Sequence, residues 1–507
     1  MAAKPKEDLQ KAHRRRKNRE SLLETLESII VAFVLAFLFR AFIVEAFVIP
    51  TGSMGPTLYG QHAELECTDC GWKFSIGAES KRGGGPSLST PPVCPNCLLP
   101  QRVPPSVPLY SGDRILVLKF LYDFDDPQRW DVIVFRNPND PAQNYIKRLI
   151  GLPRETVELV DGNVTINGVI AHKTNTAQEA LWMLVHDTRQ RATRRDWEPR
   201  WQMAEGWKGR ESGYVLAEAP PRDRTAWLTY EHRGLRDRPS NIVDGYAYNG
   251  GNRRNEKWLG DNVCTDLSLT TEVTAGGAES VCIVEMRAYK DRFRFELTAE
   301  GSKEPTQVLL NGEVVAKAAA PVLPVGRPVE VQVANVDHKL MLLVDGDRVA
   351  KAVLDNVTPE GDVTYKPKPL SEAERDRFDR PESDDPRAMA AVVRLGARGG
   401  PLSAAYLRID RDVYYINEPL RNGEPGHATE GNPFKLKADE FFVCGDNSPK
   451  SFDSRLWLES VDRPVVPRRN LVGKAFFVYW PAAGTRGFWG YKFIPLAPDP
   501  TGWRLVH

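Results

Sequence analysis

Ser53 lies in Pro50-Thr51-Gly52-Ser53-Met54-Gly55-Pro56-Thr57-Leu58, a serine enclosed by glycine and proline. Serine in such a turn more often shapes the chain than reacts, so a nucleophile here needs a base from elsewhere. The eight histidines offer no triad partner by position. Lys147, in Tyr145-Ile146-Lys147-Arg148-Leu149-Ile150, is another source of a base. On a strand it shares a face with Leu149, while Ile146, Arg148 and Ile150 share the other. A strand lysine is usually a solvated edge residue. In apolar surroundings it would lose its proton more readily, because burial disfavours the charge. A serine activated by a neutral lysine is one of the recognised variants of triad chemistry.

Two further clusters stand out. Gly445-Asp446-Asn447 is followed by Ser448, Ser451, Asp453 and Arg455, a turn rich in hydroxyl and charged groups. Cys67-x-x-Cys70 and Cys94-x-x-Cys97 have the spacing of a zinc ribbon, whose four thiolates complete a closed tetrahedral site. Two disulfides are the alternative on the oxidising side of a membrane; ligand spacing favours a structural zinc. Of the other cysteines, Cys264 and Cys282 could pair, and Cys444 reads as a small buried residue.

The elements that must position these groups are mostly strands. Short Val/Ile/Leu/Phe runs at 113–118, 130–135, 145–151, 156–160, 164–166 and 472–480 are punctuated by Asp161-Gly162 and Asn167-Gly168, which are hairpin signals. A further strand is expected at 411–416. Residues 213–409 repeat the pattern at 293–297, 308–310, 329–333 and 340–344, as in an antiparallel sandwich. Its pattern resembles the concanavalin/laminin-G-like jelly roll, a module that binds carbohydrate in some proteins and serves as a docking insert in others. Residues 173–212 read as a polar, partly helical linker holding Trp182, Trp197, Trp201 and Trp207, and 372–387 as a mobile charged loop.

The N-terminus has a different character. Residues 1–21 are basic, and 22–49 are apolar enough to approach the ~20 residues a bilayer needs. No small-x-small cleavage site follows, so a retained anchor is expected over a cleaved signal peptide. By the positive-inside rule the basic tail stays cytoplasmic and everything after residue 50 lies outside. The aromatic tail, with Phe488, Trp489, Tyr491, Phe493 and Trp503, suits a membrane interface or ordinary sheet packing. With 68 basic against 67 acidic residues there is no global field for nucleic acid.

Taken together, the motifs resemble those of the bacterial type I signal peptidases, the membrane-anchored Ser/Lys endopeptidases. Pro50 to Leu58 matches the nucleophile box, Gly112 to Val117 and Trp130 to Phe135 the strands that follow, Tyr145 to Pro153 the lysine box, and Gly445 to Arg455 the last box. The resemblance implies a mainly β peptidase core at 50–61, 103–172 and 410–507. A four-cysteine, zinc-ribbon-like insertion at 62–102 and a β-sandwich insertion at 213–409 lie outside it. It implies Ser53 as nucleophile and Lys147 as general base. Ser451 would hold the lysine amine, and Thr51 with the Ser53 N–H would form an oxyanion hole. Asp453 and Arg455 would form a supporting pair, with Asp446 as the wall of the turn. Thr51, Ser448 and Arg154 depart from the family, which usually has Ser, Arg and Gly there. The implied reaction is cleavage of signal peptides from exported precursors at the bacterial inner membrane. It passes through an acyl-enzyme, needs no catalytic cofactor, and prefers small residues at the first and third positions before the cut. A membrane-anchored binding protein on a non-catalytic peptidase frame is the alternative.

Overall fold

The computed structural model describes residues 24–80, 86–87, 92–102, 107–138, 140–194, 198–204, 206–218, 221–234, 237–250, 260, 262–353, 357–380, 389–420, 423–457, 463–480, 486–488, 491–493 and 503–507. The basic tail, Trp197, Trp489 and residues 381–387 of the expected charged loop lie outside them.

The sheet that carries the lysine is assembled from distant pieces of chain. Seven of its eight strands are β1 (Val44–Val48), β2 (Arg114–Leu118), β3 (Val132–Arg136), β4 (Asn144–Gly151), β5 (Glu440–Cys444), β6 (Val466–Pro467) and β7 (Leu471–Trp480), in the spatial order β1-β2-β7-β3-β4-β5-β6, and the short eighth, Arg504–Leu505, pairs with β7. Strand β4 runs between β3 and β5, with Lys147 opposite Ile133 and Arg148 opposite both Val132 and Cys444. Both faces of this sheet are covered, which is why Leu149 and Ile150 on opposite faces are each fully buried. A second, four-stranded sheet joins Thr156–Val160, Asn163–Ile166, Val169–Ile170 and Phe434–Lys435. Its turns bear out the sequence: Asp161-Gly162 and Asn167-Gly168 both have positive φ at each position, the type I′ geometry that matches strand twist.

The insertion is a sandwich of a nine-stranded and an eight-stranded antiparallel sheet. Alternate residues of both sheets meet in one core, including Leu269, Val331 and Leu407 from one side and Val284, Phe293 and Leu395 from the other. It begins earlier than the expected 213. Residues 173–212 contain the helix Asn175–Leu181, but Met183–Asp187, Trp201–Met203 and Trp207–Gly209 are strands paired into the sandwich sheets. Leu402–Arg411 is the long strand that pairs with the first of these and, through Gly213–Leu216, with the third.

Three other expectations need correction. The strand expected at 411–416 is absent, since Arg411 ends a sandwich strand and 412–420 have no regular structure. Within 372–387, Glu372–Phe378 is a helix closed by a capping box between Ser371 and Glu374, two orphan donors satisfied reciprocally. The apolar stretch 22–49 is not one continuous element. Residues 24–38 are helical, Phe39–Ile43 form a π turn, and Val44–Val48 are strand β1. No helix among the described residues is long and apolar enough to cross a membrane.

Candidate active site

Ser53 sits in a short 3-10 turn, Gly52–Met54, that follows β1. The chain entering and leaving it is held by Asp113: Ile49 N donates to Asp113 O (2.8 Å), Asp113 N to Tyr59 O (2.8 Å), and Tyr59 N to the Asp113 carboxylate (2.9 Å). Met54 and Leu58 are buried beneath the turn and anchor it to the β2/β3 core. Ser53 is itself buried, with 9% of its surface exposed.

Lys147 reaches this serine from the middle of β4. Its Nζ donates to Ser53 Oγ at 2.6 Å. Burial lowers the lysine pKa from 10.5 to about 8, an effect partly offset by the carboxylates of Asp453 and Asp446. An amine near pH 8 in pKa is neutral often enough to accept a proton, and its partner hydroxyl is already in line.

The Gly445-Asp446-Asn447 turn closes the other side. Asn447 donates its backbone N–H to Ser53 O (3.0 Å) and its Nδ2 to Gly52 O (2.8 Å). Gly445 packs so closely on Ser53 and Ser451 that a methyl there would collide with both. Asp446 is more than a wall. Its carboxylate takes two bonds from the Arg148 guanidinium, each 2.7 Å, and one from Thr57 Oγ1 at 2.6 Å. Lys147 and Arg148 thus leave opposite faces of β4, one to the serine and one to the turn beside it. Asp453 and Arg455 form the expected pair, at 2.8 and 2.9 Å, both side chains buried. Burial pushes the Asp453 carboxyl up, but Arg455 outweighs it and holds the pKa below the usual range.

Ser451 is buried beside Gly445; its hydroxyl makes no hydrogen bond to the Lys147 amine and faces the Asp453 carboxylate, whose pKa it helps to hold down. Thr51 is exposed and makes no side-chain cap to the turn. One of the family departures, Ser448, has a physical reason, and another, Arg154, sits against one. Ser448 Oγ accepts from Arg455 Nη1 (2.6 Å) and from Ile416 N (2.9 Å), so it joins the ion-pair network. Arg154 has φ of 70°, the left-handed conformation for which glycine is the usual residue.

The four cysteines converge as a separate site. Cys67 Sγ lies 3.6 Å from Cys97 Sγ, and Cys70 Sγ 3.6 Å from Cys94 Sγ, all four being buried and free. A disulfide would be near 2.05 Å, whereas tetrahedral thiolates about 2.3 Å from one ion are roughly 3.8 Å apart. Both knuckles share one backbone pattern: Gly71 N donates to Cys67 O (3.0 Å) and Leu98 N to Cys94 O (2.9 Å), with Gly71 and Leu98 both at positive φ. Gln101 Nε2 donates to Cys67 Sγ at 3.3 Å, which suits a sulfur carrying negative charge. Cys264 and Cys282 remain separate buried thiols, and Cys444 is buried in β5.

Comparison with known proteins finds a family model and curated relatives that match part of the chain. The model of "Signal peptidase, peptidase S26" matches residues 104–204 and 379–480, a span that contains Lys147 and Gly445 to Arg455. The chain is related to the type I signal peptidases. Signal peptidase I of Rickettsia bellii is 29% identical over 30% of this chain and 41% of its own length. That of Pseudomonas fluorescens is 31% identical over 35% of this chain and 54% of its own. The chain therefore spans about half, or less, of these relatives. The break between the matched segments falls within the sandwich. Among solved structures, a carbohydrate-binding module from Bacillus subtilis covers 42% of this chain and 95% of its own at 9% identity, with a TM-score of 0.25. A likeness that slight carries no weight.

Sequence reasoning missed the Arg148–Asp446 pair and the anchoring role of Asn447. An arginine on the same strand face as Ile146 and Ile150 needs a buried carboxylate, so the first was open to inference. It also missed Tyr248, which reaches the nucleophile turn from the insertion, and Tyr246 and Asn249, which reach the Asp446-Asn447 turn beside it; none lies in a recognisable motif.

Proposed function

We propose that the chain is a membrane-bound serine endopeptidase that removes signal peptides from exported precursors. The observation that supports this most is the 2.6 Å contact between Lys147 Nζ and Ser53 Oγ, formed where burial keeps the amine close to neutrality. In this reading neutral Lys147 takes the Ser53 proton as Oγ attacks the scissile carbonyl. The oxyanion is met by the Ser53 N–H and the Thr51 hydroxyl, a donor pair of the kind whose loss typically costs roughly 100-fold or more. The resulting ammonium protonates the leaving amine, and the same lysine then activates the water that hydrolyses the Ser53 ester. Ser451, buried beside Gly445, is proposed to turn its hydroxyl to the amine, while Arg148–Asp446 and Asp453–Arg455 hold the floor rigid.

The helical stretch at 24–38 supports a membrane location, because Ile30, Phe33, Leu35 and Phe37 are all more than half exposed to solvent. Apolar side chains in contiguous exposure mark a surface that needs another phase. A single pass with the N-terminus inside places Ser53 where a precursor's own apolar segment is held. The four cysteines hold a structural zinc: the site is closed, so the ion would lock the fold and take no part in the reaction. Metal analysis of the purified chain is expected to find one zinc per molecule, and absence of zinc together with absence of free thiols would favour disulfides.

The test of the main reading is precursor cleavage by Ser53→Ala and Lys147→Ala, each expected to lose about a thousandfold or more. Undiminished processing by either variant would sink it and favour a binding protein on a peptidase frame.

A further inference from the structure

The loop 244–250, part of the sandwich insertion, leaves its own sheets and enters the peptidase site. It is tied to the sandwich at one end. Arg411 donates to Gly245 O (2.6 Å) and lies over the Tyr246 ring, and the Asp244 carboxylate accepts from Asn262 N and Nδ2 (2.9 and 2.8 Å). At the other end Tyr246 OH donates to Asp446 O (2.9 Å). Tyr248 lies so close to the nucleophile turn that a methyl on Gly52 would strike its ring, and it stacks on Tyr59 at 5.5 Å. Asn249 exchanges two bonds with Asn447: its Nδ2 donates to Asn447 Oδ1 (2.8 Å) and its Oδ1 accepts from Asn447 Nδ2 (2.7 Å).

That amide pair matters because of what Asn447 holds. The Gly52 carbonyl and the Ser53 N–H belong to one planar peptide unit, so fixing the first aims the second. Asn447 Nδ2 binds this carbonyl, and Asn447 N binds the carbonyl of the next peptide. Asn447 alone could turn about its own side-chain bonds; the return contact from Asn249 fixes its amide with Nδ2 toward Gly52 O.

From this we infer that Asn249 is a positioning residue for the oxyanion-stabilising Ser53 N–H, so that the sandwich insertion supplies part of the catalytic site. The inference rests on the Ser53/Lys147 reading. Orientation of a preorganised donor is worth most when negative charge develops, so its loss falls on kcat.

The test compares Asn249→Ala and Asn249→Leu with the unaltered full chain in detergent, the second variant keeping bulk while removing the amide. Two substrates are used: a precursor, and a small activated ester too short to reach the insertion. Both variants are expected to lose at least about tenfold in kcat on each substrate, with KM changed less than twofold. The midpoint of the pH–rate curve should stay where the unaltered chain has it, because the amide carries no charge. Loss on the precursor alone would show that the insertion handles substrate and would overturn the inference. So would unchanged rates, or a midpoint that moves upward because loosening has let water reach Lys147. Ser53→Ala run alongside separates the two claims: if it stays active, the serine reading itself is wrong.

Discussion

Lys147 is wholly buried against Ser53, and its lowered pKa has two consequences of opposite sign. Cleavage should rise with pH through a midpoint near 8 as the amine becomes neutral, which a pH–kcat/KM profile of the full chain will check. Stability moves differently. The folded pKa is below the unfolded one, so the unfolded chain binds the proton more tightly, and the penalty is present in full below about pH 8. It is relieved as pH rises from 8 to 10.5. The shift corresponds to at most roughly 3 kcal/mol at ~1.4 per unit. Lys147→Met is therefore expected to abolish cleavage while raising the unfolding midpoint at pH 7, with the gain shrinking toward pH 10. A denaturant series at both pH values checks it. Arg148 and Asp446 present the reverse case, since each neutralises the other in a site with no exposure. Asp446→Asn strands a buried guanidinium and is expected to cost about 3–5 kcal/mol, read as a drop in the unfolding midpoint.

At the scale of elements, the insertion and the core share buried charge as well as backbone. Lys173, just after the second sheet's hairpins, donates to Asp337 and Asp412 at 2.6 Å each, all three side chains being buried. Lys173→Met should leave two carboxylates unpaired and cost about 3–5 kcal/mol, detectable as a lower melting temperature. Much of this level was legible in the sequence. Period-two runs fixed β2, β3, β4 and β7, and the Asp-Gly and Asn-Gly pairs became type I′ turns because both positions needed positive φ. The failed strand at 411–416 shows why alternation misleads: Val413 and Tyr415 are buried in the core although their own segment forms no strand. The helix at 372–378 was hidden by its charge, although Ser371 and Glu374 carry a capping signature.

For the whole molecule, the site joins segments that are hundreds of residues apart in the chain. Motif spacing could name Ser53, Lys147 and the Gly445 turn because each carries its own local pattern. Asn249 has no such pattern, and its role depends on how the sandwich docks. The cysteine module grips that sandwich too: Asn96 Nδ2 donates to Asp187 O and Gln190 O (3.2 and 2.6 Å), and Arg200 reaches Cys97 O (3.3 Å). Cys70→Ser, or zinc chelation, should thus lower the melting temperature of the full chain and loosen the 183–194 stretch in amide exchange. The most direct test of the central claim is to quench the full chain within one turnover of a membrane-embedded precursor and map the covalent acyl adduct by mass spectrometry. The adduct should lie on Ser53 and disappear in Lys147→Ala. Cleavage that proceeds with an adduct on another residue, or with Ser53 replaced, would contradict the account.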